Sequence, residues 1–406
     1  DPAMRVAMLS VHTSPLAQPG GGDAGGMNVY VRALASALTR AGVQVDVLTR
    51  TEHPEQPPVV VVEPGFRVLH VDAGPRAPVP RSQFPDLVGP FAEAAREKLE
   101  RCGTSYDVLH ANYWVSGAVG HRLKHELGLP LVTTFHSLER VKAEVGIGDE
   151  VDLRPRVEAE VVRCADLVVA STSDELDQLV RLYGADPSRI EIVPQGVDAT
   201  IFTPGDRDAA KRALGVAGHP TLLFVGRIQQ LKGADLAVRA LAQLRDHRSV
   251  LLVVGGPSGP DGEAELARLR ALVDDLGIAS RVRFVPPQPH ERLARYYQAA
   301  DVCVVPSRSE SFGLVALEAA ACGTPVVASN VGGLPIVVDH GTTGFLVEGR
   351  DHTEFAGAIE RVLHTEHAAM RINAVRHASR FRWNIAAARL RRAYYDLTTR
   401  ALVQCS

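Results

Sequence analysis

The sequence has almost no excess charge: 44 lysines and arginines against 47 aspartates and glutamates leave −3 at pH 7, without a block of like charge. A basic surface for nucleic acid, a membrane-binding patch and an acidic tail are therefore not expected. Cysteine is equally sparse. Cys102, Cys164, Cys303, Cys322 and Cys405 are scattered, with no CxxC pair. An odd, unspaced set predicts reduced thiols in a cytoplasmic protein, and neither a disulfide framework nor a zinc site. Also missing are a signal-peptide pattern, an apolar run long enough to span a bilayer, an internal repeat and any low-complexity tract.

What the chain does have is length and apolar residues, 406 positions of which 46% are hydrophobic. That exceeds one ordinary core, so two domains are expected. Short β-branched runs recur, among them RVAMLS (5–10), VQVDVLT (43–49), FRVLHV (66–71), DVLHA (107–111), LVTTF (131–135), DLVVAST (166–172) and IEIVP (190–194). A second series follows in TLLFVG (221–226), VLLVVGG (250–256), VRFVP (282–286), DVCVVPS (301–307), PVVAS (325–329) and GFLV (344–347). Their unbroken hydrophobicity fits strands buried on both faces, as in parallel sheets covered by helices. Helical patterns lie between them, such as 28–42 and 263–277, the second closed by a glycine. The expected fold class is α/β, with two Rossmann-like domains facing across a cleft. The Pro-, Gly- and Asp-rich stretch 194–207 reads as the hinge between them. The domains then run 4–198 and 199–383, with a C-terminal helix over 384–406 crossing back to the first.

Three stretches carry chemistry. Five glycines fall among the seven residues Gly20–Gly26, and a helix begins directly after them. GGGDAG matches GxGxxG, but in the dinucleotide fingerprint the first glycine directly follows the strand, and here the strand ends near Ser10. The favoured reading is a helix start whose bare amides face an anion, with a mobile surface loop as the alternative. In FVGRIQQLKG (224–233), Arg227 and Lys232 stand just beyond a buried strand, which suits a diphosphate; a solvated surface pair is the alternative. In ESFGLVALEAAACG (310–323), Glu310 and Glu318 are eight residues apart, about 80° around a helix. The helix is otherwise almost wholly apolar, so two acids in it stand out as acceptors for sugar and ribose hydroxyls.

These motifs, with MRVAMLSVHTSPLAQPGGGDAGGMNVYV (4–31), NYWVSGAVG (112–120), GADPSRIEIV (184–193) and VVGGPSGP (253–260), resemble the retaining GT-B glycosyltransferases. Within that group the chain is similar to the D-inositol 3-phosphate glycosyltransferase family of mycothiol biosynthesis, from about Met4 to the C-terminus. The resemblance implies transfer of N-acetylglucosamine from UDP-N-acetylglucosamine to 1D-myo-inositol 3-phosphate. It implies donor contacts from His12, Gln18, Pro19, Gly26, Arg227, Lys232, Gln288, Glu310 and Glu318. Arg227 and Lys232 would hold the diphosphate, Glu318 the ribose and Glu310 the transferred sugar. The acceptor would meet Asp23, Ala24, Gly25, Gly26, Met27, Asn28, Arg81, Tyr113, Ser137 and Arg154. Catalysis would rest on Arg227, Lys232, His136 and Glu310.

No DxD pair is placed to hold a metal-bound diphosphate, so no cofactor is required for catalysis. The resemblance allows a structural magnesium at Tyr297, Gln298, Ala300 and Thr324, and suggests a homodimer. Arg81 and Ser137 stand where the family usually has lysine and threonine, changes that keep a cation and a hydroxyl donor. Phe135-His136-Ser137-Leu138 is similar to sucrose-phosphate-synthase-like relatives, so transfer to a sugar phosphate or an aminocyclitol is the alternative. A two-lobed sugar-binding protein without chemistry is a reading from another class.

Overall fold

The structure is a computed structural model describing residues 3–20, 24–148, 151–364 and 367–405. Asp23, one of the expected acceptor residues, lies outside them. The chain forms two compact units. One comprises Asp1–Ala17, Gly26–Pro194 and Trp383–Ser406, the other Gln18–Gly25 and Gln195–Arg382.

In the first unit the strands are β1 (Arg5–Leu9), β2 (Gln44–Arg50), β3 (Val59–Glu63), β4 (Phe66–Val71), β5 (Val108–Asn112), β6 (Leu131–Thr134), β7 (Leu167–Ala170) and β8 (Ile190–Ile192). They pair in the order β3-β4-β2-β1-β5-β6-β7-β8. All neighbours are parallel except β3 and β4. Val6, Ala7, Met8 and Leu9 are all fully buried, as a central strand covered on both faces requires. The covering helices are α1 (Gly26–Arg40), α2 (Phe84–Arg101), α3 (Tyr113–Leu127), α4 (Glu139–Glu144), α5 (Arg154–Cys164) and α6 (Ser173–Tyr183). β3 falls outside the sequence expectation. Its run VVVVE is apolar, yet it is an antiparallel edge strand with Val61 67% exposed, so hydrophobicity there does not report burial.

The second unit is one parallel sheet. β9 (Thr221–Val225), β10 (Val250–Val254), β11 (Val282–Val285), β12 (Val302–Val305), β13 (Val326–Ser329) and β14 (Gly344–Val347) pair in the order β11-β10-β9-β12-β13-β14. That is the doubly wound order in which the chain reverses its direction of growth between the first and fourth strands, here β9 and β12. Its helices are α7 (Arg207–Leu214), α8 (Ala234–Gln243), α9 (Gly262–Asp275), α10 (His290–Ala299), α11 (Leu314–Ala321), α12 (Leu334–Val337), α13 (His352–His364) and α14 (His367–Ala378). No helix among the described residues is long and apolar enough to cross a membrane.

The last helix, α15 (Trp383–Thr398), belongs to the first unit. Trp383 packs edge-on against Tyr30 of α1, and the Tyr394 hydroxyl lies 2.5 Å from His110 Nδ1 in β5. His110 Nε2 is 2.8 Å from the Thr134 hydroxyl. One finding corrects the sequence reading: Cys164 and Cys405, 241 residues apart, are joined in a disulfide, while Cys102, Cys303 and Cys322 are free. The fold brings the C-terminal tail back to the end of α5, a return that spacing along the chain cannot reveal.

His110 has no exposed surface, and burial pushes its imidazole down to about 3 from the ordinary 6.5. The unfolded chain then binds a proton that the folded chain does not, so this residue's contribution to stability is whole above pH 6.5. It falls as the pH drops toward 3, by up to about 1.4 kcal/mol per pH unit. Buried Glu158 and Glu175 are shifted upward by desolvation and act in the opposite sense. Comparison with His110→Asn isolates the histidine: the wild-type thermal midpoint should fall more steeply between pH 6.5 and 4 than the variant's.

Candidate functional site

In each sheet some of the residues singled out by sequence follow the strands that flank the reversal of strand order. In the first unit those strands are β1 and β5. The turn after β1 carries His12 and is tied to the start of α1. Asn28 Nδ2 donates to the Thr13 hydroxyl at 2.7 Å and to the Ser14 carbonyl at 2.6 Å. Tyr113 follows β5 directly, and its ring lies 4.4 Å from that of His12. Arg81 opens a single 3-10 turn, Arg81–Gln83, and the next residue, Phe84, packs 5.3 Å from His12. Met27 packs against the core of this unit.

Among the described residues only Tyr113 (φ 79°) and His136 (φ 64°) take positive φ without being glycine. Side chains avoid that region because Cβ crowds the backbone, and such strain persists where the surroundings hold it. Here both residues are held. Asn112 Oδ1 accepts from His136 Nε2 at 2.9 Å, and Tyr30 packs edge-on against the imidazole at 4.7 Å. Because Asn112 Oδ1 can only accept, Nε2 carries the proton and Nδ1 keeps its lone pair. Burial, with His110 and His12 nearby, pushes His136 down to about 3, so the ring is neutral.

Arg154 gathers the rest of this half-site at the start of α5. It is fully buried and donates to Ser137 Oγ at 2.9 Å and to the Tyr113 hydroxyl at 3.3 Å, with its guanidinium 4.9 Å from the Tyr113 ring centre. Its charge is met by Glu158 at 3.2 Å and Glu139 at 3.5 Å. Glu158 also accepts from the Glu139 amide and the Tyr183 hydroxyl. Sequence reasoning placed Arg154, Ser137 and Tyr113 at one site but missed the two glutamates. Glu158 lies four residues after Arg154 on one helix, and that spacing was the available signal.

In the second unit the flanking strands are β9 and β12. Arg227 leaves β9, and Lys232 follows in the 3-10 turn Gln230–Lys232. Glu310 sits in the loop between β12 and α11, and its Oε2 accepts from Lys232 Nζ at 2.9 Å and from the Ser307 hydroxyl at 3.3 Å. The loop is held by Gly332 and Gly333. The Gly333 amide donates to the Glu310 carbonyl, and a Cβ at Gly332 would fall 1.6 Å from that same oxygen. Glu318 lies inside α11 and is almost fully buried. Oε1 accepts a long bond, 3.4 Å, from the Tyr297 hydroxyl, and Oε2 has no partner. Burial pushes its carboxyl up to about 8. A buried acid lacking acceptors' partners is suited to a vicinal diol that donates twice.

The glycine-rich loop groups with this unit. Gln18 Nε2 donates to the Pro287 carbonyl, the Gly256 amide donates to the Gly20 carbonyl, and the Gly20 amide donates to the Ala24 carbonyl. Pro19 lies between these anchors. A Cβ on Gly25 would lie 2.9 Å from Arg227 Nε. The glycine thus makes room for an arginine beside main chain. Gln288 Nε2 turns back on the Pro286 carbonyl. At the expected magnesium position Thr324 Oγ1 donates to the Tyr297 carbonyl at 2.5 Å, Ala300 N also points at that carbonyl, and Gln298 is drawn to the Thr203 carbonyl. The expected ligands are backbone carbonyls, neutral oxygens of the kind a hard cation takes, and that of Tyr297 already accepts from both donors.

Residues 191–378 match the family described as Glycosyl transferases group 1, and residues 24–223 match Glycosyltransferase Family 4. A D-inositol 3-phosphate glycosyltransferase of Geodermatophilus obscurus is 51% identical over 391 residues, 93% of this chain and 86% of that protein. One from Actinosynnema mirum is 48% identical over 404 residues, 96% of each. Among solved structures, the sucrose-phosphate synthase of Thermosynechococcus elongatus superposes with a TM-score of 0.90 at 36% identity, covering 97% of this chain and 99% of that one.

Gly25→Ala should push the Arg227 side chain aside while the fold stays intact, since only a flexible side chain must yield. The expected result is nucleoside diphosphate binding weakened about tenfold or more, with an unchanged melting temperature. Calorimetric titration and a thermal melt check both halves.

Proposed function

The chain belongs to the D-inositol 3-phosphate glycosyltransferase family, retaining enzymes of GT-B fold, and from that membership we propose its reaction: transfer of N-acetylglucosamine from UDP-N-acetylglucosamine to 1D-myo-inositol 3-phosphate, the first step of mycothiol biosynthesis. The observation that carries the reading is Lys232 paired with Glu310 at the reversal of strand order in the second unit. It puts a cation for a diphosphate and an acceptor for sugar hydroxyls within one hydrogen bond of each other.

In the chemical step the bond from the sugar's anomeric carbon to the β-phosphate oxygen breaks, and a bond to an inositol hydroxyl oxygen forms on the same face. The hydroxyl proton passes to the departing phosphate. No carboxylate nucleophile is needed, so the protein's task is to stabilise charge growing on the leaving group. Arg227 and Lys232 do this, and the loop anchored at Gly20 brings main chain alongside Arg227. Glu310 and Lys232 exchange part of their mutual pairing for sugar and phosphate when donor binds. Neutral His136 offers the Nδ1 lone pair to a hydroxyl of the transferred sugar; its low pKa excludes an imidazolium there. On the acceptor side Arg154 acts through Ser137 and Tyr113, whose hydroxyls it fixes, because Glu139 and Glu158 already balance its charge.

The reading calls for no cofactor in the chemical step. A structural magnesium held by the backbone carbonyls of Tyr297, Gln298, Ala300 and Thr324 would brace α10 against the turn before β13. A homodimer and a cytoplasmic location complete the proposal, the first testable by light scattering. The Phe135–Leu138 segment, with the 36% identity to a sucrose-phosphate synthase, supports a second acceptor reading, fructose 6-phosphate.

The deciding experiment measures UDP release from UDP-N-acetylglucosamine and UDP-glucose. Each is run with inositol 3-phosphate, glucose 6-phosphate, fructose 6-phosphate, free inositol or no acceptor. Release confined to UDP-N-acetylglucosamine with inositol 3-phosphate is expected; a faster reaction with a hexose phosphate would overturn the acceptor assignment. Arg227→Ala and Lys232→Ala should each lower kcat about 100- to 1000-fold, the cost of removing one group that stabilises developing charge. Glu318→Gln should raise KM for donor about tenfold with little change in kcat. Ribose hydroxyls donate to the ionised carboxylate, which is the minor form below about pH 8. Wild-type affinity for UDP should therefore rise with pH toward 8, and that rise should be absent from Glu318→Gln.

A further inference from the structure

Four groups with metal-ligating chemistry meet on the first unit, away from every residue assigned above. His121 and His125 are one helical turn apart on α3, and their ring centres are 5.1 Å apart. Cys164 ends α5, and Cys405 lies on the tail beyond α15. Cys405 Sγ is 3.6 Å from His121 Nε2 and 3.3 Å from His125 Nε2, and ligand atoms of these three residues all fall within 4.8 Å of one another. Cys164, whose sulfur is bonded to that of Cys405, would supply the fourth ligand once that bond is reduced.

We propose that, with the disulfide reduced, His121, His125, Cys164 and Cys405 form a tetrahedral zinc site that fastens the C-terminal tail to α3 and α5. The distances match those a metal would impose. Zinc takes nitrogen at about 2.0–2.1 Å and thiolate sulfur at about 2.3 Å, and a tetrahedral angle then separates N from S by about 3.6 Å. The two observed N···S separations lie at that value and slightly below it. Two nitrogens and two sulfurs in such an arrangement select zinc among divalent ions.

The surroundings hold the ligands in place without the ion. Buried Lys124, between the two histidines in sequence, donates to the Cys164 carbonyl at 2.6 Å and to the Val403 carbonyl at 2.9 Å. Asp166 pairs with Lys124 at 3.0 Å and accepts from the Val403 amide at 2.7 Å. One buried ion pair therefore sets both cysteine-bearing segments against α3. His121 is half-buried and His125 exposed, which leaves an entry path from solvent.

The chemistry balances. Two electrons and two protons from a dithiol reductant, itself oxidised to a disulfide, convert the Cys164–Cys405 bond into two thiols. Zinc then displaces both thiol protons to solvent and leaves a neutral site. A small-molecule disulfide, itself reduced to two thiols, takes the two electrons back, re-forms the Cys164–Cys405 bond and releases the ion. In a reducing compartment the thiol form prevails, which is where the metal would be held.

The test uses tag-free full-length protein, reduced with a phosphine, desalted anaerobically and titrated with cobalt(II), then with zinc. One cobalt per chain is expected, with thiolate-to-cobalt charge transfer in the near ultraviolet and tetrahedral visible bands, both abolished when zinc displaces it. Cys405→Ser and His125→Ala should each weaken uptake by more than about 100-fold, beyond the cost of losing an outer-shell partner. His125 is exposed, so its variant keeps the test valid even if the cysteine variant folds poorly. Wild-type protein oxidised to the disulfide should take up none. Failure of the reduced protein to bind one equivalent, or undiminished binding in His125→Ala, would overturn the proposal.

Discussion

Parallel pairing constrains everything else in this protein. A parallel strand cannot return by a tight turn, so each must be followed by a crossover, and the turns leaving the strand ends collect along one edge of each sheet. Where the order of strands reverses, two neighbouring turns diverge to opposite faces and leave an opening. In the first unit that opening is flanked by His12 and Tyr113, in the second by Arg227 and the loop of Glu310. Their placement follows from topology before any side chain is considered.

Charge is then handled in two different ways. Arg154 is fully buried, and two carboxylates, two hydroxyls and an aromatic ring surround it, so its cation is compensated in place. Such a group rigidifies its neighbours; removing either partner would strand a buried charge. Glu318 is the opposite case. It is nearly as removed from water yet has one long hydrogen bond and an orphaned oxygen, the spare acceptor that the proposed ribose contact would use. Lys232 and Glu310 lie between these extremes, partly exposed and paired with each other, able to trade that pairing for a ligand's charge and hydroxyls.

Close approach of bare backbone plays the same part in both loops of the second unit. Gly332 lets its turn lie directly on the Glu310 carbonyl, and Gly25 leaves the space that Arg227 fills. The strained residues of the first unit, Tyr113 and His136, pay for their conformations with contacts from Asn112, Tyr30 and Arg154. The tail that follows α15 is fixed by the Lys124–Asp166 pair, and the metal-ligating groups around Cys405 owe their meeting to it.

The sequence by itself determined the strands buried on both faces, because continuous β-branched runs leave no polar face, and from them the α/β class. It singled out Arg227, Lys232, Glu310 and Glu318 as candidates, since charges beside apolar runs are conspicuous. It did not disclose β3, whose apolar run is an exposed edge, nor the carboxylates that meet Arg154, nor that Gln18–Gly25 group with the second unit. Only the tertiary structure decided those, and it alone brought Cys405 beside Cys164, His121 and His125. The reason is physical. Local pattern records how a segment meets water, whereas these meetings depend on where segments up to 284 residues apart are carried by the crossovers between strands.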